Sequence, residues 1–193
     1  KIIIILLIFL VSFSYSQSNT EKIIFESANP YSFNDIISNA KDVESQIVYG
    51  ILKVPFDSLN PLKKYPLVIG VAGSLGWKSH HYEYLEMYQS SGFATFELNS
   101  FKSRNIESTV GTQNQVTIAA MVLDAYKAFE KLAEHPNINK NKVSITGWSL
   151  GGGVALFSGW LPLKNAINKD LNFASHLAFY PPCFIEPENL NFT

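Results

Sequence analysis

The sequence predicts an α/β domain: a mostly parallel sheet with helices on both faces. Three observations predict it. Segments rich in β-branched and aromatic residues alternate along the chain with segments whose apolar residues recur every three or four positions. One of the former, Tyr65-Pro66-Leu67-Val68-Ile69-Gly70-Val71-Ala72, is almost unbroken in its apolar character, as a strand covered on both faces requires. Another, residues 142–146, runs straight into Gly147-Trp148-Ser149-Leu150-Gly151, a glycine-flanked serine at a strand-to-helix turn.

In chain order, residues 22–25 and 46–55 read as two early strands, separated by a polar, loop-like stretch over 27–41. Asn60-Pro61 marks the turn into the apolar strand over 65–72. Beyond Gly73-Ser74-Leu75-Gly76, residues 82–91 place Leu85 and Tyr88 on one helical face, and Gly92 stands where a helix C-terminus favours glycine. Residues 93–98 read as a strand and 99–114 as a polar loop. Over 115–133, Ile118, Val122, Ala125, Phe129 and Leu132 form an apolar stripe with Asp124, Lys127 and Lys131 opposite, an amphipathic helix closed by Pro136. Residues 142–146 alternate as a strand, 152–160 form an apolar helix expected to end before Pro162, and 177–180 supply a last strand.

Composition bounds the partners. The chain has 193 residues, 47% hydrophobic and 16% charged, which suits one globular domain, expected over residues 17–193. Fifteen Lys and Arg against sixteen Asp and Glu leave a net charge of -1 with no basic run, so neither nucleic acid nor an anionic membrane surface is an expected partner. Lys1, the apolar run 2–11 and the small residues of Ser14-Tyr15-Ser16 read as a signal peptide over 1–16. The run is about half of the roughly 20 residues a membrane helix needs, so the mature protein is expected to be periplasmic or extracellular with no stable span. The single cysteine, Cys183, reads as a small buried hydrophobe without a disulfide partner. No metal-ligand spacing and no phosphate-binding glycine motif appears, so no metal and no cofactor is expected.

The chemistry is carried by Ser149. Gly147 and Gly151 flank it because side chains there would meet neighbouring backbone, and the turn leaves the serine hydroxyl at its apex. Trp77 and Trp148 stand near it and read equally as an apolar pocket or as packing. Arg104, on the loop after the 93–98 strand, reads as a partner for a substrate carboxylate or as a loop-holding salt bridge, the second favoured. His80 and His81 read as partly solvated groups near a helix start, and His135 needs no functional explanation.

Over roughly residues 50–183 the chain resembles the α/β-hydrolase superfamily, and within it the dienelactone hydrolase family. The resemblance lies in Pro66-Leu67-Val68-Ile69 with Gly73-Ser74-Leu75-Gly76, Asn99-Ser100-Phe101-Lys102-Ser103-Arg104, His135-Pro136-Asn137-Ile138, the Ser149 turn, and Phe179-Tyr180-Pro181-Pro182-Cys183. It implies that Ser149 is an acyl-accepting nucleophile and that the Leu150 and Ser74 N–H groups form an oxyanion hole. It also implies a small ester or lactone as substrate. The chain departs from relatives at Ala72-Gly73 (often His-Gly), Asn99 (Asp) and Asn105 (Gly). In this fold the acid and histidine follow the serine, yet His176 precedes the last strand, at its wrong end. The expectation is therefore a fragment whose late strands, with the acid and the histidine, are missing from this chain. A catalytically inactive binding protein with the same fold is the alternative.

Overall fold

The computed structural model describes residues 18–38, 43–112, 114–183 and 191–193. The predicted signal peptide over 1–16 lies outside them. Six strands form one sheet: β1 (Ser18–Ala28), β2 (Ser45–Pro55), β3 (Tyr65–Val71), β4 (Ala94–Leu98), β5 (Ile138–Trp148) and β6 (His176–Phe179), in the order β1-β2-β4-β3-β5-β6. From β4 through β3 and β5 to β6 all pairs are parallel, whereas β1 and β2 form an antiparallel extension at one side.

Helices cover both faces, as the sequence predicts. Leu67, Ile69 and Val71 of β3, with Phe96 and Leu98 of β4, point into the main core beside α3 (Ile118–Ala133) and α4 (Leu150–Phe157). The alternate residues face α2 (Ser79–Ser90): the Cα of Gly70 lies so close to Leu85 that a Cβ would come within 3.1 Å of its Cδ2, and Gln89 donates to Thr95 at 2.6 Å. The apolar stripe of α3 is buried along its length, from Val122 and Ala125 to Phe129 and Leu132.

Four sequence expectations change. The stretch read as loop over 27–41 contains α1 (Phe33–Ile37), started by Ser32 and Asp35, which cap each other's backbone N–H groups. The apolar helix over 152–160 is α4, which ends before Pro162 as expected but already at Phe157, and an unexpected helix follows, α5 (Leu161–Ile167), whose first turn holds Pro162 because no donor is needed there. Phe33 of α1 packs on Phe157 and Trp160 at ring distances of 5.1 and 6.0 Å, which seats α1 against this pair. Asp124, read as part of the polar side of α3, is fully buried. Cys183, read as buried, is at the surface.

Asn105, where relatives carry glycine, sits at φ 57° and ψ 33° behind a 3₁₀ turn over Lys102–Arg104. Asparagine is among the few residues that tolerate this left-handed conformation, so the substitution preserves the loop. Among the described residues, no helix is long and apolar enough to cross a membrane.

Candidate active site

Ser149 ends β5 and opens α4. Its backbone is held at φ 54° and ψ -117°, a region that side-chain-bearing residues avoid. Two contacts fix it there: the Ser149 N–H donates to the Phe179 carbonyl of β6 at 3.0 Å, and the Ser149 carbonyl accepts from Gly153 at 3.0 Å. The flanking glycines are sterically required. A Cβ on Gly147 would lie 1.9 Å from the Gly151 carbonyl oxygen, and one on Gly151 would lie 2.2 Å from the Val71 carbonyl oxygen. The turn therefore packs without side chains against both its own helix and the end of β3. Its serine is half-buried, at the C-terminal edge of the parallel strands, where open α/β sheets bind ligands.

The loop after β3 lies against the serine. A Cβ on Gly73 would stand 3.4 Å from the Ser149 Cβ. This loop is closed by the Gly76 N–H donating to the Gly73 carbonyl at 2.9 Å. It is anchored from outside, since the Ser74 carbonyl accepts from the Thr109 N–H at 2.9 Å and from the Ser108 hydroxyl at 3.1 Å. Ser74 and Leu150 thus sit on two segments that meet at Ser149.

The same loop walls a cavity of about 430 Å³, which extends to the segment after β4 and to Met121 of α3; Ser149 itself does not line it. Trp77 lines it, with its ring fixed by an N–H donated to the Leu98 carbonyl at 3.0 Å and by stacking on Tyr82 at 5.4 Å. Asn99 lines it too, and its amide donates to the Glu97 carboxylate at 3.1 Å. In this chain an aspartate at 99 would set two carboxylates together.

Trp148 does not line this cavity. It is 1% exposed, its ring lies parallel to Phe179 at 5.8 Å and tilted on His81 at 4.6 Å, and its N–H has no partner among the described residues. Of its two readings, packing is the one the geometry matches. Arg104 does not reach the cavity either. Its guanidinium holds Asp124 through two bonds of 2.8 and 3.1 Å and donates to the Ser100 and Ala28 carbonyls and to the Asn29 amide oxygen. All five donors are used inside the fold, so none is left for a substrate carboxylate.

The histidines stand apart from Ser149 in their bonding. His81 is 3% exposed and accepts the Lys78 N–H at its Nδ1. Burial, with lesser contributions from His80 and Lys78, brings its pKa down to about 4, so its ring is neutral at neutral pH. His80 is exposed. His135 pairs with Glu21 at 3.4 Å. His176 pairs with Ile145 across the β5–β6 ladder, three residues before the Trp148–Phe179 pair, hence about 10 Å down the strand from the serine turn. Its Nδ1 meets the Ala155 carbonyl at 2.9 Å; a carbonyl only accepts, so Nδ1 carries the proton. No histidine among the described residues is hydrogen-bonded to Ser149.

A strained serine on a glycine-lined strand-to-helix turn, at the C-terminal edge of this sheet, defines an α/β hydrolase. Comparison with known families makes this narrower. The model of the acetyl xylan esterase family (AXE1) matches residues 73–181, from the loop after β3 to just past β6. With more than half of its length matched, the chain belongs to that family. No curated protein matches it. Among solved structures it is similar in fold to esterase Est22, with a TM-score of 0.52 and 18% identity over 77% of this chain and 39% of that one. It is similar also to a protein designated a dienelactone hydrolase from Klebsiella pneumoniae subsp. pneumoniae, with a TM-score of 0.53 and 18% identity over 89% of this chain and 65% of that one. A third, m3DLH, has a TM-score of 0.51 and 16% identity over 76% of this chain and 53% of that one. The chain thus spans between 39% and 65% of the length of these structures.

Proposed function

We propose that the chain is the nucleophile-bearing part of an exported serine hydrolase of carboxylic esters. The observation that carries this is Ser149 itself, held in a backbone conformation that serine adopts only under constraint, beside a second loop whose Gly73 lies against it. In the reaction, a base takes the Ser149 proton as the hydroxyl oxygen bonds the ester carbonyl carbon. The Leu150 and Ser74 N–H groups carry the negative charge that develops on the carbonyl oxygen. The tetrahedral species collapses, the alcohol leaves with the proton, and an acyl-serine remains. Water, deprotonated by the same base, attacks that ester; the acid departs and the serine regains its proton.

The base and its orienting acid come from sequence outside these 193 residues. The four histidines here support that reading: three are hydrogen-bonded or ion-paired elsewhere in the fold and His80 is exposed. The family description makes an acetylated carbohydrate the first substrate to test, and the fold likeness makes a lactone the second. Export rests on Lys1, the apolar run 2–11 and Ser14-Tyr15-Ser16, and N-terminal sequencing of the protein from its host would show cleavage after residue 16.

The test is turnover of p-nitrophenyl acetate by the reading frame that contains this chain, extended beyond Thr193 and expressed without residues 1–16. The expected result is that Ser149→Ala lowers kcat/KM by at least about a thousand-fold. Equal background rates in both proteins would favour a binding protein that uses the same cleft.

A further inference from the structure

The cavity walled by the loop next to Ser149 has a chemical character that the family description does not contain. We propose that it receives an apolar group of the ester larger than acetyl: an alkyl chain of about four to six carbons or a single aromatic ring. This rests on the reading of Ser149 as nucleophile.

Position, wall chemistry and charge support it. The loop Gly73-Ser74-Leu75-Gly76 touches Ser149 with its first residue and the cavity with its last two, so a substrate bridging the loop has its carbonyl at the serine and one flank in the cavity. The buried lining is mostly apolar, with Leu98, Phe101 and Met121 each no more than 6% exposed, and it includes Asn99 and Ser100, whose Oδ1 and Oγ have no partner among the described residues. Trp77 forms a flat wall that its hydrogen bond to Leu98 holds in place, and Ile106 and Leu75 close the sides towards the mouth. A volume of about 430 Å³ falls inside the range of roughly 300–1,000 Å³ typical of ligand pockets and far exceeds the two carbons of an acetyl group.

The charges argue against a charged flank. Lys102 and Glu107, which line the cavity, are of opposite sign and both exposed. The one buried cation nearby, Arg104, has its five donors committed to Asp124, Asn29 and two backbone carbonyls. Lys102 is then the cation left to meet a carboxylate, and it stands in solvent, where such a pair is worth little.

The experiment uses the full-length enzyme and two ester series. One varies the acyl group, from p-nitrophenyl acetate through butyrate and hexanoate to benzoate. The other keeps acetate and varies the alcohol from methyl to hexyl and benzyl. Each methylene buried against this wall is worth about fourfold in kcat/KM, so one series is expected to rise at least about tenfold from its smallest to its best member. Whichever series rises names the flank that occupies the cavity. Ile106→Trp, which fills the cavity from its side, is expected to lower the ratio of large-ester to acetate kcat/KM at least about tenfold. Leu75→Trp, at the exposed mouth, is the second filling variant should Ile106→Trp not fold.

Flat or falling kcat/KM along both series, with turnover still dependent on Ser149, would overturn the proposal and leave the nucleophile standing. So would size profiles unchanged by either filling variant. Turnover that persists in Ser149→Ala would instead overturn the nucleophile. In that event calorimetric binding of acetophenone to the Ser149→Ala protein, abolished by the same filling variant, still tests the cavity: binding supports an apolar ligand and its absence refutes one.

Discussion

At Ser149 the backbone angles of 54° and -117° cost on the order of 1–3 kcal/mol, a strain that the Phe179 and Gly153 hydrogen bonds hold in place. Glycine adopts these angles freely. Ser149→Gly is therefore expected to raise the unfolding free energy by about 1 kcal/mol in urea titration, while Ser149→Ala, which keeps a Cβ at the same φ, does not. Gly147 is the opposite case: the 1.9 Å approach to the Gly151 carbonyl leaves no room for a methyl, and Gly147→Ala is expected to cost several kcal/mol or to prevent folding, seen as loss of the cooperative transition. Thr146, just before the turn, is fully buried and its hydroxyl has no partner among the described residues. Thr146→Val removes that unmet polar atom with little change of shape and is expected to stabilise by about 1 kcal/mol, measured as a rise in denaturation midpoint.

Between elements, the buried Arg104–Asp124 pair joins the end of β1, the segment after β4 and the middle of α3. The Ser27 hydroxyl adds a bond of 2.6 Å to the Asp124 carboxylate. Removing one partner strands a charge in the core, so Arg104→Met alone is expected to cost about 3–5 kcal/mol in chemical denaturation. The double variant Arg104→Met with Asp124→Leu is expected to be less destabilised than Arg104→Met, because neither charge is then left unpaired. This network also shows where reading by periodicity stops. Asp124 falls on the polar side of the helical pattern and is indistinguishable there from Lys127, yet it is buried because a cation from twenty residues away meets it. The α1 signal was local, in Ser32 and Asp35 with Phe33, Ile36 and Ile37, but lay within a mostly polar stretch that masked it. Pro162 does follow the end of α4 as expected, but proline also begins helices, and nothing local in the sequence marks the start of α5.

Across the whole molecule, two histidines, His81 buried and His176 half-buried, couple stability to pH. His81 titrates near 4 in the fold against 6.5 for a free histidine, and burial lowers His176 in the same direction. Because the unfolded chain binds these protons more readily, stability is greatest above about 6.5 and falls as the pH drops towards 4. Thermal midpoints recorded between those limits are expected to decline, and His81→Phe is expected to flatten the decline. The sheet and the serine turn were legible in the sequence because both depend on near neighbours: strand alternation, and two glycines each two residues from Ser149. The cavity was not legible, since Leu75, Ile106 and Met121 come from three segments that only the fold assembles.

The central claim is that Ser149 becomes acylated. Incubating the full-length protein with a p-nitrophenyl ester, quenching in acid within the first turnovers and mapping the adduct by peptide mass spectrometry tests it most directly. The account predicts one acyl group per chain, on the peptide that contains Ser149, and none in Ser149→Ala. An adduct on any other residue, or turnover with no adduct that survives replacement of Ser149, would contradict it.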